Sequence, residues 1–155
     1  MLSRPEAGWS QFSLDDQLFS LSYLTNVPCD WLDQAIHGLE TLAPFSVHGF
    51  CEPGRLICTV SYRNCHIIFE DEDQESAQWH IAPISMIEFC QNLYDDLSNN
   101  LDAWSKWLPA HRAKNAQENE IIYSKAKTNI EMHLARLKEL ISKKQDAFDA
   151  DVYFL

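Results

Sequence analysis

The chain has 155 residues, 46% apolar and 23% charged, with four Gly and six Pro, a balance that excludes a disordered chain and fits one globular domain over 1–155. No apolar run approaches the ~18–20 residues of a membrane span, and residues 1–11 lack the charged-then-apolar order of a signal peptide, so a soluble, cytoplasmic protein is expected. The net charge of −11 is gathered before Pro109, where four bases meet sixteen acids, a field that attracts basic partners and argues against direct nucleic-acid binding.

Taken in chain order, Gln17 to Leu24 alternates apolar residues after Leu18 and predicts a strand with one buried face. Asp30 then predicts the cap of a helix over 31–42, with Leu32, Ala35, Ile36 and Leu39 on one stripe and Pro44 just past its end. Phe45 to Cys51 runs into Glu52-Pro53-Gly54, a turn sequence, and Arg55 to Arg63 follows with Leu56, Cys58, Val60 and Tyr62 on one face. Cys65 to Glu70 is rich in strand formers, Asn64 marks the turn before it, and Trp79 to Ile81 adds a short fourth strand. The run Glu70 to Glu75 between the last two is too charged to be buried and predicts an exposed loop.

Ser85-x-x-Glu88 has the spacing of a capping box. The stripe Ile87, Cys90, Leu93 or Tyr94, Leu97, Leu101, Trp104 and Leu108 predicts a helix that Asn99-Asn100 interrupts. From about His111 to Lys144 no Gly or Pro occurs, and Ile122, Ala126, Ile130, His133, Leu137 and Ile141 mark one face of the longest helix. Glu131 with Lys138, and Glu139 with Lys143, offer pairs of opposite charge along it. The end, Ala147 to Leu155, carries Phe148, Val152, Tyr153, Phe154 and Leu155 and is expected to dock on the fold or on a partner. The order predicts an α+β domain: an antiparallel sheet of three to five strands packed by helices on one face, with two long C-terminal helices.

Five cysteines, Cys29, Cys51, Cys58, Cys65 and Cys90, form no C-x-x-C pair, and reduced thiols used as small core residues are expected. His48, Cys51, Cys58, Cys65 and His66 form the densest reactive cluster. Cys58 shares a predicted face with Val60 and Tyr62, and Cys65 with Ile67 and Phe69, so core packing is expected rather than a zinc site. Cys51 with His48 or His80 would suit a thiol nucleophile, but no Gly-rich oxyanion turn surrounds it. His133, in an apolar stripe, reads as a hydrogen-bonded core or rim residue. Glu70 to Glu75 lacks the D-x-[DN]-x-[DN]-G order of a calcium loop. Of the five tryptophans, Trp9, Trp31, Trp79, Trp104 and Trp107, most are expected in the core, with Trp104 and Trp107 sharing a face. No catalytic residue, metal or cofactor is expected.

The stretch Val47-His48-Gly49-Phe50-Cys51-Glu52-Pro53-Gly54, followed by an alternating strand and later by Ile87-Glu88-Phe89-Cys90 opening a helix, resembles the immunity proteins of bacterial polymorphic-toxin and contact-dependent inhibition systems. The resemblance implies a single domain that binds one secreted toxin domain, in many cases a basic nuclease, in the producer's cytoplasm. The acidic balance agrees, since clustered carboxylates can occupy cationic surface as phosphate surrogates. The expected toxin-binding residues are Glu70, Asp71, Glu72, Asp73 and Glu75, with Asp95, Asp96 and Asp102. The alternatives are a small Cys/His hydrolase or transferase, and an adaptor that oligomerises through its long C-terminal helix.

Overall fold

The fold is that of a computed structural model, which describes residues 1–73, 75, 77–109 and 113–149. A strand absent from the sequence reading comes first: β1 (Trp9–Leu14) pairs antiparallel with β2 (Gln17–Ser22), with Asp15 at φ +54° in the turn. Its alternation buries Ser10, Phe12 and Leu14. The second strand stops at Ser22, two residues short of its expected end.

Helix α1 (Val27–Thr41) starts a turn earlier than expected. Pro28 suits this first turn because its missing N–H is among those a helix start leaves unbonded. Asp30 therefore sits inside the turn, where its carboxylate meets the partly positive helix end, rather than before it. Near the other end, Gly38 lets the helix press on the sheet: a Cβ there would lie 2.2 Å from Cδ1 of Phe45.

Four strands follow, β3 (Phe45–Phe50), β4 (Arg55–Val60), β5 (Cys65–Glu70) and β6 (Gln78–Ala82), joined as an antiparallel meander in that order. The β3–β4 turn uses Gly54 at φ +83°, where a Cβ would meet Glu70 O at 2.7 Å. One sheet face points inward, carrying Phe45, Val47, Leu56, Cys58, Val60, Cys65 and Ile67.

The capping box forms as expected at α2 (Met86–Asn99): Glu88 N–H donates to Ser85 Oγ (3.2 Å) and Ser85 N–H to Glu88 Oε2 (2.8 Å). A break at Asn100 separates it from α3 (Leu101–Ser105). The last helix, α4 (Ala116–Asp149), begins later than the expected His111, because Asn115 Oδ1 accepts from Glu118 N–H (2.9 Å) and fixes the start. It also runs past the expected end at Lys144 and buries Phe148. Val152 to Leu155 lie outside the described residues.

The core is centred on Trp31, whose ring lies 5.5 Å from Phe12 and 6.3 Å from Phe89. α4 closes it with Ile130, Leu134, Leu137, Leu140 and Ile141 against α1, α2 and α3. His133 is a rim residue there, bonded to Asn129 O (2.7 Å) and Asp33 (2.8 Å). Trp104 and Trp107 meet in the core with centroids 5.1 Å apart and ring planes tilted by 47°, whereas Trp9 and Trp79 are exposed. Glu139 pairs with Lys143 (2.6 Å), while Lys138 lies over the Tyr94 ring. Among the described residues no helix is long and apolar enough to cross a membrane.

Candidate functional site

Alternation along four paired strands assigns every second residue to the sheet's other face. The register aligns Phe50, Arg55 and Glu70 in one row, His48, Ile57, Ile68 and Trp79 in the next, and Ser46, Thr59, His66 and Ile81 in the third. The four-stranded sheet buries the opposite face in the core, so this one is left to solvent. Trp79 is 66% exposed, Ile81 49% and Phe50 39%. His66 stacks on Trp79 at 5.8 Å, His48 meets Phe50 edge-on at 6.4 Å, and Ser46 and Thr59 share a 2.8 Å hydrogen bond. The surface therefore has an apolar, aromatic middle and polar ends.

One end is strongly acidic. Beyond β5, Asp71, Glu72, Asp73 and Glu75 belong to the loop expected from the sequence, and Asp73 N–H donates to Asp71 Oδ1 (3.3 Å). Arg55 binds Glu70 across β4–β5, which fixes one carboxylate and leaves the others facing water. Phe50, Gly54, Arg55, Glu70, Asp71 and Glu72 line a depression of about 350 Å³. Aromatic, cationic and anionic groups thus meet at the sheet's end.

The other expected acidic residues lie on different elements and have partners within the chain. Asp96, on α2, accepts from Leu2 N–H (2.7 Å) and faces the Met1 amino group (3.3 Å). Asp95 accepts from Gln91 (3.0 Å). Asp102, on α3, binds Lys127 of α4 (2.7 Å), which holds its carboxyl below the usual carboxylate range.

The Cys and His cluster is divided by the sheet. Cys58 and Cys65 point into the core, while His48 and His66 stand on the open face. Among the described residues no group of three or more His, Cys, Asp or Glu is placed to hold a metal ion. Burial pushes the Cys51 thiol up to about 11 and raises Cys29 and Cys90, and a hydrogen bond with Cys65 together with burial raises Cys58. Each shift favours the thiol over the nucleophilic thiolate. His80, the other candidate base, bonds Asp15 in the β1–β2 turn (2.8 Å).

Sequence reasoning found the acidic loop and missed the open face. The signal present was in β5 and β6, where His66-Ile67-Ile68-Phe69 and Trp79 with Ile81 place apolar residues on both faces. No family model, curated protein or solved structure matches the chain.

Proposed function

We propose that the chain is a protein-binding module of the immunity type, which neutralises a cognate cationic toxin domain by holding it against the open face of the four-stranded sheet. The observation that carries this reading is the one-sided cover: Phe50, Trp79 and Ile81 stay exposed beside Ile57 and Ile68. Contiguous exposed aromatic and aliphatic groups with a polar rim are the pattern of a protein-interaction surface. Aromatic side chains supply binding energy there, and Glu70 at the end of β5 with the loop residues Asp71, Glu72, Asp73 and Glu75 supplies attraction for a basic partner. Asp95, Asp96 and Asp102 serve the fold in this reading, through their partners on α2, the N-terminus and α4. No catalytic residue is assigned in this reading.

The test is co-purification with the protein encoded directly upstream, using wild type, Phe50→Ala and a loop variant with Glu70, Asp71, Glu72 and Asp73 all changed to Lys. Wild type should retain the partner and protect cells that produce it. Phe50→Ala should weaken binding by about 2 kcal/mol, the scale of an aromatic hot spot. Retention and protection that are unchanged in both variants would refute the assignment of this face.

A further inference from the structure

The two edges of the four-stranded sheet are treated differently by the rest of the chain. Cys51 N–H donates to Gly54 O and Ser61 N–H to Asn64 O, both at 2.9 Å. Hydrogen-bonded and open pairs alternate along an antiparallel ladder, so these two turns fix the sequence of pairs across the sheet, and they agree on β4. The bonded pairs of β5 with β6 are Cys65 with Ala82, Ile67 with His80, and Phe69 with Gln78. Trp79 and Ile81 consequently turn their backbone N–H and C=O groups away from β5, toward the free edge. By the same count His48 faces the free edge of β3, and there its carbonyl accepts from Trp31 Nε1 (2.9 Å) while α1 packs alongside. Among the described residues no hydrogen bond occupies the matching groups on β6.

β6 also lacks the usual protections of an edge. Its sequence Gln-Trp-His-Ile-Ala holds no Lys, Pro or carboxylate. In a chain of net charge −11 it presents two exposed apolar side chains, and the Asp15 carboxylate that reaches it is bonded to His80 Nε2 (2.8 Å).

We infer that two copies of this chain associate through β6, antiparallel about a twofold axis at His80, to form one continuous sheet twice the width. The occupant follows from the strip's self-complementarity. With His80 opposite its counterpart, an open pair, Trp79 stands opposite the second copy's Ile81 in a hydrogen-bonded pair and Ile81 opposite the second copy's Trp79. All four outward-turned backbone pairs are used, and each tryptophan meets a β-branched residue on the same sheet face. Shifting by one residue would set outward-turned groups against inward-turned ones. Pro83, without an N–H, ends the seam. Charge agrees: the antiparallel arrangement sends the two acidic β5–β6 loops to opposite ends of the seam. The seam is short, so the dimer is weak. It leaves Phe50 and the acidic loop uncovered and does not depend on the toxin-binding reading.

The test is sedimentation of the full chain from about 5 µM to 1 mM, with residue-resolved amide exchange at both ends of that range. Wild type should pass from monomer to dimer, more readily as salt screens the repulsion between two −11 copies. The Trp79 and Ile81 amides should be protected only at high concentration, and those of His80 and Ala82 at both. Ile81→Pro removes only an outward N–H, so the monomer should keep its circular dichroism, while dimerisation should weaken at least ~100-fold because the loss counts twice across the axis. Ile81→Lys, which keeps the N–H and adds a charge, should also be monomeric. A wild type that stays monomeric at 1 mM would overturn the proposal. So would a dimer that both variants retain.

Discussion

At the scale of single residues, the thiols make a pH prediction. Burial holds Cys51 at about 11 in the folded chain, above the ordinary 9.0, so the native state keeps its proton where the unfolded chain has lost it. This contribution is intact below pH 9 and is lost as pH rises toward 11. Cys58 and Cys90 act in the same direction. Thermal unfolding followed from pH 7 to 11 should therefore show a falling Tm that begins near pH 9, and Cys51→Ala should make the fall shallower. Gly38 makes a second prediction. A methyl group at this position meets the Phe45 ring, so Gly38→Ala should lower stability by about 1–3 kcal/mol in urea unfolding, despite alanine's better helix propensity.

At the scale of elements, Ser85→Ala should cost about 1 kcal/mol, because it removes the Oγ that accepts from Glu88 N–H at the start of α2, while the backbone bond from Ser85 N–H to Glu88 Oε2 remains. The same box was legible in the sequence, as were β3 to β6 and the break at Asn100, since each rests on local chemistry within a few residues. β1 was not, although Ser10, Phe12 and Leu14 alternate, because Ser10 is a small polar residue whose hydroxyl is buried by bonding Ser3 O at 2.8 Å. The start of α1 was misplaced for a related reason: Asp30 has the chemistry of a cap and serves instead as a first-turn carboxylate. The inner faces of β4 and β5 followed from alternation. That the outer faces stay bare could not, because a run such as His66-Ile67-Ile68-Phe69 also suits a strand covered on both sides. Only the placement of the helices decides between the two, and that placement rests on contacts between residues distant in sequence, such as Trp31 with Phe89 and Asp33 with His133.

At the scale of the whole molecule, charge and shape divide the work of recognition. In the proposed reading, the acidic balance before Pro109 acts at a distance and sets the rate of encounter, whereas Phe50, Trp79 and their aliphatic neighbours act on contact and set the lifetime of the complex. The central claim is that a cationic toxin domain binds the open face beside the acidic loop. It is tested most directly by binding kinetics between this chain and the inactivated protein encoded upstream, for wild type, Phe50→Ala and the four-lysine loop variant at low and high salt. Wild-type association should slow at least ~10-fold between 50 and 500 mM salt, the loop variant should associate slowly with little salt dependence, and Phe50→Ala should mainly speed dissociation. Association and dissociation rates that are the same for all three proteins at both salt concentrations would contradict it.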